Sequence, residues 1–161
     1  MERIAVYAGS FDPITTGHMD LVRRATQLFD RVILSIGQNP KKQYLLSVAA
    51  RRSVLEECVA DLDTVSVDVF DGLLIDHCRS VGAGFILRGL RAVSDFEFEF
   101  QIGLANMDMA PRIETVFLLT EPKNIFVSSS LVKEIAQNGG DVTRYVPEPA
   151  LGPLMARLQG R

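Results

Sequence analysis

Tryptophan is absent from this 161-residue chain, and cysteine and histidine occur only twice each. Cys58 and Cys78 form no Cys-x-x-Cys pair and share no zinc-type spacing with His18 or His77, which excludes a disulfide scaffold and a structural zinc site. The pair His77-Cys78 brings two ligands without further partners and reads as core and edge. Long apolar runs are missing too. The first, after Met1-Glu2-Arg3, spans five residues, too few for a signal-peptide core or a membrane span, so the expectation is a cytoplasmic protein with reduced, buried thiols. No basic run or basic-aromatic interleaving offsets the net charge of −3, so nucleic acid is excluded as a partner, as is a membrane. Neither a Gly-x-Gly-x-x-Gly turn nor a Gly-Lys-Ser/Thr element occurs, which disfavours dinucleotide-dependent hydride transfer and P-loop hydrolysis.

What is present is an ordinary globular composition, 47% hydrophobic and 23% charged, without repeats, linkers or low-complexity stretches. Short β-branched runs at Arg3–Ala8, Arg31–Gly37, Val65–Val69, Phe85–Arg88 and Glu114–Leu119 alternate with helical patterns long enough for crossovers. The fold class is therefore α/β: a Rossmann-like, open, parallel five-stranded sheet with helices on both faces, one domain over 1–161. Cap chemistry marks the helix starts. Ser47 precedes Val48–Ala60; Ser94 with Glu97 forms a capping box for a helix over Asp95–Met107; Ser128-Ser129-Ser130 opens a helix that stops at Asn138-Gly139-Gly140; Pro147 and Pro149 introduce a last helix to Gln159.

In open parallel sheets ligands bind beyond the carboxyl ends of the strands. The chemically unusual residues sit there: Gly9-Ser10-Phe11-Asp12-Pro13-Ile14-Thr15-Thr16-Gly17-His18 after the first strand, Asn39-Pro40-Lys41-Lys42 after the second, Arg88-Gly89-Leu90-Arg91 after the fourth, and the loop ending in the three serines after the fifth. Glycine permits close backbone approach, and His18 falls in the first turn of a helix, whose free N–H groups favour phosphate. Taken singly, His18 reads more readily as a surface or capping histidine, Lys41-Lys42 as a solvated pair, Arg88 and Arg91 as surface cations, and Glu99 as a solvent-facing helical carboxylate. Their common placement favours a phosphate-handling site.

The strings Gly-Ser-Phe-Asp-Pro-Ile-Thr-x-Gly-His, Arg-Gly-Leu-Arg-Ala-Val-x-Asp-Phe-Glu and Val-Ser-Ser-Ser-Leu-Val-Lys-Glu resemble those of the bacterial phosphopantetheine adenylyltransferases, within the nucleotidylyltransferase superfamily, from Ile4 to about Pro147. The resemblance implies transfer of an adenylyl group from ATP to 4′-phosphopantetheine, giving dephospho-coenzyme A and pyrophosphate in coenzyme A biosynthesis. It implies catalytic roles for His18, Lys42 and Arg91, and acceptor binding by Ser10, Lys42, Leu74 and Arg88. The ATP contacts implied are Ser10, Phe11, His18, Gly89, Leu90, Arg91, Glu99, Asn124, Ile125, Phe126, Val127, Ser128, Ser129 and Ser130. No protein metal site is implied; Mg²⁺ is expected to arrive on the nucleotide phosphates. Coenzyme A is the implied feedback inhibitor.

The departures from the family pattern are Ser10 for threonine, Phe98 for tyrosine, Ala8 for proline, and a less basic Asn106-Met107-Asp108-Met109-Ala110. A homohexamer, built as a dimer of trimers, is implied as well. Apolar residues at 96, 98, 100, 102 and 104 spread around much of a helix's circumference, so one face meets the sheet and the rest needs a partner, unless the stretch is a period-two strand. Two functional alternatives remain at this point: a nucleotidylyltransferase with a different acceptor, such as nicotinate mononucleotide or a phospho-alcohol, and a non-catalytic nucleotide sensor.

Overall fold

A computed structural model describes residues 2–160, leaving aside the side chain of Ser94. Five strands, β1 (Ile4–Gly9), β2 (Arg31–Gln38), β3 (Val65–Asp71), β4 (Phe85–Leu90) and β5 (Glu114–Leu119), form one sheet in the order β3-β2-β1-β4-β5. Every pairing is parallel, so each connection is a crossover. These are α1 (Thr16–Ala25), α2 (Val48–Cys58), α3 (Leu74–Ser80) and α4 (Val93–Met109); α5 (Ser129–Gln137) and α6 (Glu148–Gln159) follow β5.

Alternation along β1 sets the two faces. Ala5 and Tyr7 join a large core with Leu21 and Val22 of α1, Leu55 of α2, Val132 of α5 and Leu154 of α6. Ile4, Val6 and Ala8 point to a smaller core with Ile75 and Cys78 of α3 and Ala110 after α4. Burial on both faces explains why the central strands read as continuous apolar runs.

The caps at Ser47 and Ser128 form: Ser47 accepts from the Ala50 N–H at 3.1 Å, and Ser128 from the Leu131 N–H at 3.2 Å. Gly139 ends α5 at φ +79°, and Pro147 precedes α6. The capping box expected at Ser94 rests on a side chain outside the described residues. Helix α4 starts two residues earlier than that reading places it, with Ala92 at the N-cap and no side-chain cap bond. The preceding β4 continues through Gly89 and Leu90, paired with Leu118 and Leu119, and this sheet pairing, invisible to local periodicity, fixes where the chain enters α4. The 96–104 stretch is helical, which removes the period-two alternative. Among the described residues no helix is long and apolar enough to cross a membrane.

The site is opened by one irregularity of the sheet. Strands β1 and β2 stay in register to Gly9↔Ile36, and β4 and β5 to Leu90↔Leu119, yet β1 and β4 pair only at Ala5↔Phe85 and Val6↔Ile86. Strand order reverses between β1 and β4, and the two part there toward their carboxyl ends.

Candidate active site at the split between β1 and β4

A cavity of about 940 Å³ occupies this split, within the size range of small-molecule sites. Its wall includes Ser10, His18, Lys42, Arg88, Gly89, Arg91, Asn124, Val127, Ser128, Ser129 and Ser130, so four loops distant in sequence meet at one sheet edge. Phe11, Leu74, Leu90, Glu99, Ile125 and Phe126, also expected in the site, do not line it. Leu90 belongs to the end of β4, paired with Leu119. Leu74, at the start of α3, packs on the smaller core. Ile125 and Phe126 are exposed, and the Phe126 ring meets Tyr145 edge-on.

The Thr-x-Gly-His element is a capping box with histidine in the place usually held by glutamate. Thr15 is the N-cap of α1; its hydroxyl accepts from the His18 N–H at 3.3 Å, and His18 Nδ1 accepts from the Thr15 N–H at 3.0 Å. The capping reading of His18 therefore holds, and the same residue lines the cavity. Because Nδ1 is the acceptor, the proton of the neutral ring belongs on Nε2, and Nε2–H is the free donor of a residue that lines the cavity. Burial, and after it the charge of Arg91, pushes His18 down to about 4, so the ring is neutral at pH 7. It packs edge-on against Phe11 at 5.2 Å between centroids, with Tyr7 on another side. Phe11 thus acts behind the wall, at φ +46°. A Cβ at Gly9 would come within 3.1 Å of its ring, so this glycine makes room for Phe11 as well as for a ligand.

The cations are held from behind. Arg88 forms a bidentate pair with Glu99 of α4, both largely buried, and its Nη1 donates to the Ala8 carbonyl at 3.3 Å, bridging the split. Glu99 is therefore not the solvent-facing helical carboxylate of the bland reading: it braces Arg88. Arg91 pairs with Asp95 at 3.1 Å and reaches the Val127 carbonyl at 3.4 Å. Lys42 is exposed, and its loop is shaped by its own N–H to the Asn39 carbonyl at 3.0 Å and by Asn39 N–H to Tyr44 Oη at 3.1 Å. Around Ser128–Ser130 the start of α5 is tied down, since Ser129 Oγ donates to the Pro13 carbonyl at 2.7 Å. With the cap bond to Leu131, this presents the first turn of an α-helix to the cavity.

Some residues of the site escape sequence reasoning. Arg51, fully buried, donates to the Ser10 carbonyl at 2.8 Å and lies 4.1 Å from the Tyr44 ring centroid, so α2 holds the Ser10 loop through a cation–π-supported contact. Tyr7, Thr15, Thr120 and Lys133 line the wall, as does Asp12. Burial pushes the Tyr7 phenol up, against the opposing pull of Arg88 and Arg91, so it remains a neutral hydroxyl. Asp12 and Thr15 lie inside the first of the quoted strings and Lys133 inside the third, whereas nothing local in the sequence marks Tyr7, Arg51 or Thr120. His77, by contrast, sits in the smaller core's flank, bonded to Ser35 Oγ at 2.8 Å and stacked on Phe70. Among the described residues no group of three His, Cys, Asp or Glu side chains is placed to hold a metal ion.

The chain is similar to known proteins over most of its length. A profile of the cytidylyltransferase-like family matches residues 6–135. A phosphopantetheine adenylyltransferase of Caldanaerobacter subterraneus is 47% identical over 98% of both chains, and one of Desulfatibacillum aliphaticivorans is 51% identical over 92% of this chain and 85% of its own. A solved structure from Vibrio parahaemolyticus, named as a nicotinate-nucleotide adenylyltransferase, superposes with a TM-score of 0.73 over 98% of this chain and 95% of its own, at 17% identity, which speaks to the fold alone. With half of its residues shared over nearly its full length, and the motif residues gathered in one cavity, this chain belongs to the phosphopantetheine adenylyltransferase family.

Proposed function

We propose that the protein joins ATP and 4′-phosphopantetheine to form dephospho-coenzyme A and pyrophosphate, in the cytoplasm. One observation carries this reading: a single cavity unites an anion-binding group after β2, Lys42, with another built from His18, Arg91 and the start of α5. Two phosphate sites facing one space suit a reaction between two anions. A sensor of one nucleotide has no use for the second.

The acceptor phosphate is an anion at neutral pH, so no base is required to create the nucleophile, and no covalent enzyme intermediate is formed. The residues position both substrates and neutralise charge. As the α-phosphorus becomes five-coordinate, charge grows on its equatorial oxygens, and the fixed His18 Nε2–H donor binds these more tightly than the ground state. Neutrality at pH 7 suits a donor that must not exchange its proton. Arg88, braced by Glu99, orients the acceptor; Arg91 and the helix start receive the β- and γ-phosphates. Among the described residues the one carboxylate on the cavity wall, Asp12, already accepts from two backbone N–H groups and an ammonium. That donor set supports a Mg²⁺ carried by the phosphate oxygens rather than by side chains. When bound it would add charge neutralisation to that of the named cations.

Coenzyme A carries both the acceptor's arm and an adenosine, so the same cavity would admit it as an inhibitor. A homohexamer is supported by the outer face of α4, where Phe96, Phe98 and Phe100 are 43%, 64% and 46% exposed. The two free thiols, Cys58 and Cys78, are buried, and burial pushes each up to about 11; unreactive thiols suit a reducing compartment. The deciding experiment measures pyrophosphate release from ATP with 4′-phosphopantetheine, nicotinate mononucleotide or no acceptor. Release confined to 4′-phosphopantetheine, with dephospho-coenzyme A as product, is expected. Release with nicotinate mononucleotide alone would overturn the assignment.

A further inference from the structure

A second cavity, of about 790 Å³, lies between the start of α2 and one face of α6, behind the segment that carries Lys42. Tyr44 borders this cavity and the active-site cavity alike, and Leu45 and Leu46 continue the wall, so this short stretch is a partition between the two. Arg51 and Arg157 are the charged residues of the second cavity, and among the described residues no aspartate or glutamate stands in its wall. That is a local excess of positive charge in a chain whose net charge is −3. Val48, Pro153, Ala156 and the Tyr44 ring supply apolar surface beside it.

Arg51 is the residue that points to a ligand. It is 1% exposed; its Nη1 donates to the Ser10 carbonyl at 2.8 Å, and its Nε has no hydrogen-bond partner among the described residues. No ion pair of the described residues includes it. A buried guanidinium without a carboxylate is costly, and an anion drawn to it offsets that cost. The start of α2 acts in the same sense. Ser47 accepts from the Ala50 N–H at 3.1 Å, while the N–H of Val48, on the cavity wall, has no intrahelical acceptor and lies at the positive end of the helix. Arg157 donates its Nε–H to the Leu45 carbonyl at 3.1 Å, which leaves its terminal N–H groups to a ligand.

We propose that this cavity binds a small organic phosphate with an apolar body and that its occupant is an effector of the active site. The phosphate meets Arg157 and the first turn of α2 in the field of Arg51, and the body lies against Tyr44 and Ala156. Arg51 stands between the two cavities, because the Ser10 carbonyl it holds belongs to the active-site wall. An anion in the second cavity draws on the same positive charge that an acceptor phosphate at Ser10 and Lys42 experiences. The two ligands therefore oppose each other, and the opposition is reciprocal. Tyr44 adds a mechanical link: its ring lies 4.1 Å from the Arg51 guanidinium, and its hydroxyl accepts from the Asn39 N–H at the start of the Lys42 loop. The effect on the acceptor rests on the adenylyl-transfer reading; the site itself does not.

The test uses the full chain with 4-bromophenyl phosphate as the probe. In crystals soaked with it, anomalous scattering should place the bromine between α2 and α6. Calorimetry should show binding that Arg157→Ala weakens about tenfold and that Ala156→Trp, which fills the cavity and keeps both arginines, abolishes. In the assay with ATP and 4′-phosphopantetheine, the probe should raise the acceptor KM about fivefold and leave the ATP KM within about twofold. That effect should vanish in Ala156→Trp, whose activity without probe stays unchanged; should this variant fail to fold, Arg157→Ala carries the same comparison. Inhibition that persists in the variants is competition inside the active site and overturns the proposal, as does bromine found in the active-site cavity alone. Bromine between the helices with an unmoved acceptor KM overturns the effector role. Failure of the unaltered protein to transfer adenylyl groups would instead sink the reading beneath that role, and the bromine position would still decide the site.

Discussion

His18 carries two separable functions, and substitution can pull them apart. Truncation to alanine removes the Nε2–H donor and also strips the Thr15 N–H of its acceptor at 3.0 Å. Loss of one preorganised donor to a charge-developing oxygen costs about 3 kcal/mol in the transition state, more than a hundredfold in turnover. Loss of the cap contact costs about 1 kcal/mol of stability. His18→Glu keeps the capping box, since glutamate is its usual third-position residue, but puts an anion against phosphate. It should melt near the unaltered protein and turn over even more slowly than His18→Ala. ATP affinity by calorimetry should change less than tenfold in the alanine variant, because the strongest contact forms only as charge develops.

The pH profile tests the same reasoning. With His18 held at about 4, kcat/KM should show no histidine ionisation between pH 5 and 8. The acceptor phosphate ionises near 6 on its own account, so only a limb that vanishes in His18→Ala counts. The sign for stability follows from the lowered folded-state value. Below pH 6.5 the unfolded chain takes up a proton that the folded one refuses, so stability falls from pH 6.5 toward 4 and is level above it. Burial of the ring bounds this effect at about 3 kcal/mol, and less because the ring borders the cavity. A limb near 6.5 that disappears in His18→Ala, or an ATP affinity that falls as far as turnover, would refute the neutral-donor account.

Lys42→Ala should weaken 4′-phosphopantetheine binding about tenfold, the worth of one charged contact, while ATP binding stays nearly unchanged; calorimetry giving the reverse order would reassign Lys42 to the nucleotide. Gly89→Ala would drive a methyl into the buried side chain of Leu21 and should destabilise the fold by about 1–3 kcal/mol, read as a shifted urea midpoint; an unmoved midpoint would mean that α1 yields. Light scattering at micromolar concentration should give a mass near that of six chains, lowered by Phe98→Glu, and a single-chain mass for the unaltered protein would refute the assembly.

What the sequence determined by itself is local. Five β-branched runs placed the strands, and Ser47, Ser128, Gly139 and Pro147 bounded three helices, because period and cap chemistry act within one or two turns of chain. The rule that ligands bind at strand carboxyl ends then selected the loops that do line the cavity. Tertiary structure decided everything that depends on separation in sequence. Strand β4 ran on through Gly89 because β5 was there to pair with it, and the start of α4 moved to Ala92 as a result. Glu99 turned inward because Arg88 lies across from it, a contact between a strand and a helix that no helical period announces. Arg51 under Ser10, and Lys133 beside Asp12, are likewise products of packing between distant segments. The cavity exists because β1 and β4 stop pairing after two residues, and register between strands joined by long crossovers is fixed only when their helices pack.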